Sequence, residues 1–352
     1  MTGRHGIYLT SRRHMLGIAA ATLAIGIAPV ALAAPDPVAR LRVSLSVPGA
    51  HRTVAAAIAA LPPQGGVIRI DRGLWREKLA ITAANVTLVG LGDRPEDTVI
   101  TWDDSSQKAG GTVRSATLTV SGDRFRMGNL TVRNDWALRP DAYPTQAVAL
   151  ALTGDRAVLD HVRLDGHQDT LFAGKGPGGR LSRHYFGNSR ISGHVDFIFG
   201  NANAYFSRCA LHGNAGSTVM ITAHSRNADD DPSAYVFDRC TITADADAGP
   251  IWLGRSWRDY ARVIFLDTRM DAPVAPGGWR EWTPGTTDRL KTSYYAEYRS
   301  TGRGAPPPPR VATAHRLSRE QAAQWRRDQF FGGDTGWIDE GLMALAQERK
   351  VR

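Results

Sequence analysis

FGNSRI (186–191), FSRCAL (206–211), FDRCTI (237–242) and FLDTRM (265–270) are four copies of one short pattern. In each copy an apolar residue, a small residue and a second apolar residue recur at fixed spacing. Two looser copies precede them, at MGNLTV (127–132) and LDHVRL (159–164), and successive copies begin 20 to 32 residues apart. A repeat of this length indicates a solenoid, because each unit buries its apolar residues only against its neighbours.

The segments between these copies have the composition of short strands. VIRI (67–70), VTLVG (86–90), ATLTV (116–120) and VALAL (148–152) are rich in residues that favour β-structure, and Gly, Asn and Asp separate them. A β-sandwich would show frequent Asn-Gly or Asp-Gly hairpin turns, and these are nearly absent. The length of the repeat varies from copy to copy. This is expected if the loops differ in length while the strands keep the same register. The sequence therefore predicts an all-β fold, a right-handed parallel β-helix.

Helices are predicted only at the two ends of the stack. Residues 53–61 (TVAAAIAAL) indicate a short N-terminal capping helix that ends at a Pro-Pro pair. Ser318 and Gln321 have the spacing of a capping box, which starts a helix, and a further helix is predicted at residues 340–350. We expect both C-terminal helices to pack alongside the stack.

The first residues resemble an export signal. Arg12 and Arg13 precede an apolar run at 17–32, and Ala31-Leu32-Ala33 is a small-x-small cleavage site. A membrane anchor is the alternative, but the run is short for a span and ends at a cleavage site. Residues 1–33 are therefore predicted to be a twin-arginine-type signal peptide of a bacterium, and 34–352 a single β-helix catalytic domain. The location expected is the periplasm or the outside of the cell.

The charge of the chain favours an acidic partner other than nucleic acid. Its formal charge is +9, and removal of residues 1–33 takes three arginines and no acid, which leaves +6. The basic residues are spread out, without a Lys/Arg run and interleaved aromatics. A secreted protein of this kind is expected to bind an acidic polysaccharide as a monomer, with no contact with nucleic acid or, after signal removal, with membrane.

Two aspartates occupy the same point of successive repeats. Asp169 lies five residues after Leu164, and Asp196 lies five residues after Ile191. On neighbouring rungs they would be about 4.8 Å apart along the stack. Two carboxylates at that distance do not both ionise cheaply, and this is an arrangement that acid/base chemistry uses. A lone Asp after a β-helix strand is usually a turn residue, so the argument rests on the matched pair.

Further polar residues fall on the strands that follow the repeats. Gln146, Gln168, Arg255 and Trp257 would lie beside the two aspartates on the outer face of one sheet. None of the nearby histidines has a metal-ligand spacing such as H-E-x-x-H, so no metal and no cofactor are expected. We interpret these histidines as turn or groove residues: His161, His167, His184 and His194.

The motifs QDTL (168–171), DFIFG (196–200) and LGRSW (253–257) stand in one order at specific separations. In this they resemble the pectin methylesterases, a family of carbohydrate esterases, and the similarity extends from about residue 42 to 345. One departure is Trp75, where the family commonly has tyrosine; the change is conservative in size. The resemblance implies hydrolysis of the C6 methyl esters of homogalacturonan, the acidic polymer of pectin, to pectate and methanol.

The resemblance also implies a role for each residue. Asp196 would attack the ester carbonyl, and Arg255 would hold Asp196 ionised by lowering its pKa. Asp169 would first protonate the departing methanol and then activate water. Gln146 and Gln168 would donate N–H groups to the oxyanion. The expected substrate contacts are Trp257, Phe172, Phe199 and Val195.

Several alternatives stay open at this stage. Cys209 and Cys240 share one repeat position on consecutive rungs, so they form either a disulfide or two buried free thiols. The function alternatives are an esterase or thioesterase on a non-pectin substrate, a polysaccharide lyase or glycosidase on the same fold, and a non-catalytic binding protein. A retaining glycosidase would accept carboxyl groups about 5 Å apart, so spacing alone does not exclude it.

Overall fold

The computed structural model of the protein describes residues 38–350, apart from residues 217, 307 and 308. Within that part of the chain the strands form three sheets, one of eleven strands and two of eight, and every strand pair is parallel. The strands of sheet 1 are Arg40–Val43, Gly66–Ile70, Val86–Gly90, Arg126–Gly128, Ala157–Asp160, Arg183–Gly187, Asn203–Ser207, Ala234–Asp238, Arg262–Leu266, Tyr294–Tyr298 and His315–Arg316. The strands of sheet 2 are Gly73–Arg76, Thr98–Trp102, Thr131–Asn134, Arg163–Asp165, Arg190–Gly193, Ala210–Gly213, Thr241–Ala244 and Arg269–Met270. The strands of sheet 3 are Leu79–Ile81, Leu118–Val120, Leu150–Leu152, Leu171–Ala173, Ile198–Gly200, Val219–His224, Ile251–Ser256 and Trp279–Arg280.

The chain visits the three sheets in turn, and neighbouring strands of a sheet come from successive turns. This is a right-handed parallel β-helix, so the fold predicted from the repeats is confirmed. The apolar side chains that point into the coil form one continuous core along its length.

The repeat that predicted the fold forms a stack inside the coil. Phe186, Phe206, Phe237 and Phe265 pair in register on adjacent strands of sheet 1. Their rings stack with centroids 4.5 to 4.7 Å apart, and all four side chains are fully buried. The second apolar residue of each copy pairs in the same way in sheet 2. The register of all six copies is therefore as predicted.

A left-handed residue makes the turn between sheets 1 and 2. The third residue of every copy has positive φ, between 45° and 55°: Asn129, His161, Asn188, Arg208, Arg239 and Asp267. The next side chain in the later copies is small, and it bonds to carbonyl groups of the turn; Ser189 Oγ, for example, donates to the carbonyl of Gly187 at 2.6 Å. Arginine has no preference for this conformation, so the sequence pattern did not reveal it.

The two cysteines lie in this ladder of small residues as buried free thiols. The thiol of Cys209 donates to the carbonyl of Phe186 at 3.4 Å, and that of Cys240 to the carbonyl of Phe206 at 3.3 Å. Burial raises the pKa of Cys240 well above its usual range. In the structure Cys209 and Cys240 are therefore free thiols, one of the two alternatives that the sequence left open.

The predicted capping helix is present at the N-terminal end. Helix α1 covers Val54–Ala59, and its cap Thr53 accepts from the backbone N–H of Ala56. The carboxylate of Glu77 accepts from two further N–H groups of its first turn, at 2.8 Å each. The remaining helices are α2 at Ser106–Ala109, α3 at Asp288–Thr292, α4 at Arg319–Ala323, α5 at Arg327–Phe330 and α6 at Gly336–Lys350. Single 3-10 turns lie at Pro95–Asp97, Val113–Ser115, Trp136–Leu138 and Pro177–Gly179.

The C-terminal helices pack along sheet 1, as predicted. Helix α4 begins with the capping box of Ser318 and Gln321. Helix α6 begins at 336, four residues before the predicted start, and its apolar side chains bury against the outer face of sheet 1. Among the described residues no helix is both long and apolar enough to cross a membrane. The predicted signal peptide lies outside the described residues.

Candidate active site

The two aspartates lie in turns that connect sheet 2 to sheet 3. Asp169 precedes the strand Leu171–Ala173, and Asp196 precedes the strand Ile198–Gly200. These two strands pair with each other in sheet 3. The backbone N–H of Asp169 donates to the carbonyl of Val195 at 2.9 Å. The two residues therefore occupy matched positions on adjacent rungs, as the repeat predicted.

Both aspartates have an unusual backbone and little contact with solvent. Their φ angles are 62° for Asp169 and 50° for Asp196, in the left-handed region that most non-glycine residues avoid. Both are buried, at 8% and 4% exposure. Strained backbone and buried carboxyls cost stability, and such features cluster at functional sites.

Arg255 forms a two-pronged ion pair with Asp196. Its Nε lies 2.9 Å from Oδ1 and its Nη2 lies 2.6 Å from Oδ2 of the carboxylate. Arg255 comes from the strand Ile251–Ser256, whose register places it beside Ala223 in the outward row of sheet 3. Because Ala223 is small, the arginine side chain reaches across it to the rung of Asp196.

Burial and charge push the two carboxyl groups to different proton affinities. Burial and the charge of Asp196 raise the pKa of Asp169 well above its usual range. Burial also raises the pKa of Asp196, while the hydrogen bonds and charge of Arg255 lower it. Arg255 thus acts in the expected direction, while burial of the carboxyl has the larger and opposite effect on its pKa. Asp169 is the carboxyl that holds a proton more tightly.

Gln146 and Gln168 lie side by side at the entry to the same sheet. They form a parallel bridge, in which Ala147 N–H donates to the carbonyl of Gln168 at 3.1 Å. Within the described part of the chain neither side-chain NH₂ group donates to a protein acceptor. Four N–H bonds next to Asp169 are therefore free for a ligand oxygen.

Aromatic side chains form a row along the groove beside the carboxyls. The ring centroids of Phe172 and Phe199 are 5.1 Å apart, and Trp257 follows at 6.0 Å from Phe199. Trp282 extends the row, with its ring centroid 6.4 Å from that of Trp257. The same ring centroid lies 4.1 Å from Cζ of Arg255. These side chains belong to a small apolar cluster outside the main core, so Phe172 and Phe199 both face outward. Trp282 was not among the residues to which the sequence assigned a role.

Residues 41–334 match the family described as Pectinesterase. This chain belongs to the pectinesterase family. Putative pectinesterase 14 of Arabidopsis thaliana is 36% identical over 304 residues, which cover 85% of this chain and 88% of that protein. The pectin methylesterase from carrot superposes with a TM-score of 0.77 at 28% identity, covering 86% and 95% of the two chains. The pectin methylesterase from Aspergillus niger superposes with a TM-score of 0.72 at 30% identity, covering 87% of this chain and 97% of that chain.

The remaining predicted residues of this pectinesterase fall in and around the groove, with one exception. Val195 is half-buried and directly precedes Asp196. Its carbonyl accepts from the N–H of Asp169, and its own N–H donates to Nδ1 of His194 at 2.8 Å. The rings of His167 and His194 meet edge to face at 5.5 Å, and His161 lies in a turn. His184 was expected in a turn or groove but is fully buried in sheet 1, and burial lowers its pKa to about 4.

The arrangement can carry out ester hydrolysis, the reaction class of pectinesterases as carboxylic ester hydrolases. It brings together a carboxyl in an ion pair with Arg255, a second buried carboxyl, and amide N–H donors, which are the kinds of group that ester hydrolysis uses. Within the part of the chain that the structure describes, no three His, Cys, Asp or Glu side chains are placed to hold a metal ion.

Proposed function

We propose that this pectinesterase hydrolyses the C6 methyl esters of homogalacturonan, with Asp196 as nucleophile and Asp169 as general acid and base. One observation carries the assignment: a carboxylate in a two-pronged ion pair with Arg255 lies one rung from a buried carboxyl of raised pKa. The pair has an ionised and a protonated member at the same pH, which is what a nucleophile and a proton donor require.

In the first step a carboxylate oxygen of Asp196 attacks the C6 carbonyl carbon. The carbonyl oxygen becomes an oxyanion, which accepts from the amides of Gln146 and Gln168. Each such donor contributes about 2.7–4 kcal/mol to lowering the barrier. The C6–OCH₃ bond then breaks, and the methoxide oxygen takes the proton of Asp169. The products of this step are methanol and a mixed anhydride between C6 and Asp196.

In the second step Asp169, now a carboxylate, removes a proton from water. The hydroxide oxygen attacks the C6 carbonyl of the anhydride, and the bond to Asp196 breaks. The C6 group is released as a carboxylic acid, which gives its proton to the solvent and becomes a carboxylate. Asp196 regains its charge, and Asp169 again holds a proton. Arg255 stays paired with Asp196 throughout, so the leaving carboxylate is stabilised by the same guanidinium.

The groove supports a polysaccharide as the substrate. Trp257, Phe172 and Phe199 present apolar ring surface beside the carboxyls, and sugar rings stack on such surfaces. Val195 directly precedes Asp196 and its carbonyl accepts from the N–H of Asp169, which supports a contact between this residue and the substrate.

Methanol release from highly methylated pectin tests the assignment. We expect Asp196→Asn to lower kcat by about a thousandfold or more, because the nucleophile is lost while the shape of the side chain is kept. Asp169→Asn should fail in the same assay, since the amide neither donates a proton to methanol nor activates water.

Asp288→Asn is the matched control for this experiment. Asp288 lies on helix α3 with a side chain 82% exposed, and the substitution removes one carboxylate whose ion pair is with Lys291 and not with a site residue. Its rate should stay within about twofold of the parent. Full activity of Asp196→Asn would refute the nucleophile assignment.

Two other reactions are distinguished by their products. A glycosidase or lyase on this fold would shorten the chain without releasing methanol. An esterase or thioesterase with another acyl substrate would leave methylated pectin unchanged. The free amides of Gln146 and Gln168, which are suited to a carbonyl oxyanion, favour an acyl reaction over glycoside cleavage.

We further propose that residues 1–33 direct export through the twin-arginine route and are removed, so that a monomeric domain of residues 34–352 acts in the periplasm or outside the cell. The Arg12-Arg13 pair, the apolar run and the Ala31-Leu32-Ala33 site support this. The first strand begins at 40, so cleavage after Ala33 would leave the β-helix intact.

A further inference from the structure

A second groove lies on the outer face of sheet 2, next to the catalytic turn. It has a volume of about 320 Å³, and we call it the arginine groove after Arg133, Arg163 and Arg190, which line it. Gly166 and His167 also line it, and they directly precede Gln168 and Asp169 in the chain. A polymer bound across the catalytic turn can therefore extend into this groove.

The arginines of the groove differ in how their charges are balanced. Arg163 is paired with Asp165 at 2.6 Å and with Glu96 at 3.2 Å. Arg190 lies beside Arg163 on the next strand, and among the described residues its side chain has no hydrogen bond or ion pair. Its buried Nε has no acceptor, and burial together with the like charge of Arg163 lowers its pKa.

Arg133, on the strand at the other side of Arg163, is also weakly paired. The carboxylate paired with it, that of Asp135, lies 3.9 Å from Nη2, and its Nε is buried without an acceptor. A buried polar group without a partner costs roughly 1–3 kcal/mol. Although Asp165 and Asp245 also line the groove, the buried Nε–H groups of Arg133 and Arg190 have no acceptor among the described residues.

We propose that the arginine groove binds the de-esterified stretch of the galacturonan chain, through its free carboxylates, while a methylated unit occupies the catalytic site. The proposal rests on the function proposed above and extends it to the polymer beyond the reacting unit. Guanidinium groups bind carboxylates through paired N–H donors, whereas a methyl ester has no charge to offer. The groove therefore distinguishes units that have reacted from units that have not.

This arrangement makes each product unit a ligand for the enzyme. Every turnover converts a neutral ester into a carboxylate on the same polymer chain. A chain that already carries carboxylates should be held more tightly than a fully methylated one, so partly de-esterified pectin is the preferred substrate.

Binding of polygalacturonate oligomers to an Asp196→Asn protein tests the groove without turnover. Calorimetry should show that adding Arg190→Gln lowers the affinity for polygalacturonate about tenfold. Arg190→Lys should lower the affinity by less, because lysine keeps the positive charge but lacks the paired N–H donors of a guanidinium group. The affinity for fully methylated oligomers should fall much less when Arg190 is replaced. Ser192→Asp, on the same strand, should also weaken the binding of polygalacturonate, because it places a carboxylate in the groove.

Arg269→Gln is the matched control. Arg269 lies in the same outward row of sheet 2, three strands from Arg190, is paired with Asp271 at 2.6 Å and does not line the groove. Its affinity for polygalacturonate should stay within about twofold of the parent. Equal losses for Arg269→Gln and Arg190→Gln would overturn the proposal, because only net charge would then matter. Parental affinity in folded Arg190→Gln and Ser192→Asp proteins would overturn it as well.

The two proposals fail in different measurements. A parent enzyme that releases no methanol from methylated pectin contradicts the esterase function, whatever its affinity for polygalacturonate. A parent that releases methanol but binds polygalacturonate independently of Arg190 contradicts the arginine groove alone.

Discussion

At the scale of single residues, Asp169 and Asp196 carry two costs that a structural aspartate avoids. Each has a left-handed backbone, and each buries a carboxyl group whose pKa is raised. For Asp196 the ion pair with Arg255 offsets part of the cost. The carboxyl of Asp169 accepts no hydrogen bond from the described part of the chain, so no donor there offsets the burial of its charged form. Sites that trade stability for reactivity in this way are common in enzymes.

Asp169→Asn should therefore stabilise the protein while it abolishes activity. The pKa of Asp169 is raised in the folded state above the ordinary value of 3.8. Its contribution to stability is present below about pH 3.8 and is lost as the pH rises through the folded-state pKa. The amide does not titrate, so at pH 7 we expect the variant to melt about 2 °C or more above the parent.

Thermal unfolding of the two proteins at pH 7 and pH 3.5 measures the effect. The difference in melting temperature should shrink at pH 3.5, where both side chains are neutral. Asp288→Asn, at an exposed position, should show no pH-dependent gain. A stabilisation of Asp169→Asn that is equal at both pH values would contradict the titration argument.

At the scale of elements, the repeat predicted strand register well because it samples the core directly. A Phe that is stacked at 4.6 Å on the next Phe has one allowed position, so the spacing in the sequence becomes the pairing in the sheet. The turns are less predictable. Arg208 and Arg239 adopt the left-handed conformation because the strands on either side dictate it, not because arginine prefers it.

The candidate site, like the strands, was predictable where register fixes a residue's position and not where a loop or burial decides it. Residues fixed by register, such as Asp169 and Asp196, were found from the repeat, and the resemblance supplied Gln146, Gln168 and Arg255. Trp282 reaches the groove from a loop after the strand Trp279–Arg280, outside any repeat, so spacing gave no signal for its contact with Arg255. The net pKa of Asp196 depends on burial, which a linear pattern does not report.

Helix α6 offers a test of packing between elements. A Cβ atom at Gly341 would lie 2.7 Å from Cγ2 of Val158, whose branched side chain has little freedom to move. Overpacking of this kind costs about 1–3 kcal/mol, against a gain of about 1 kcal/mol from replacing a helical glycine. We expect Gly341→Ala to destabilise the protein by about 1–2 kcal/mol in denaturant unfolding.

Two variants separate this contact from helix propensity. Gly336→Ala makes the same change in the same helix, where no atom lies within 4 Å, and should be neutral or stabilising. Adding Val158→Ala to Gly341→Ala removes the obstructing methyl groups, so the pair should cost less than the sum of the single changes. Strict additivity would show that the helix does not press on this strand.

At the scale of the whole molecule, the solenoid places the catalytic turn and the arginine groove on one continuous surface. Gly166 and His167 link them, since they line the groove and lead into Gln168 and Asp169. Such a surface suits a long ligand that reacts at one unit and is held at others. The formal charge of +6 on residues 34–352 acts over a longer range on the same anionic polymer.

Salt should therefore weaken the action on charged pectin more than the action on neutral pectin. Screening shortens from about 30 Å at 0.01 M to about 10 Å at 0.1 M, so long-range attraction is lost while the buried pair of Asp196 and Arg255 is little affected. Raising salt from about 0.01 to 0.3 M should increase KM for partly de-esterified pectin several-fold, with kcat nearly unchanged. Methanol release measured on fully methylated oligomers serves as the control, because these carry no charge. An equal rise of KM on both substrates would mean that salt acts on the enzyme itself rather than on its attraction to the polymer.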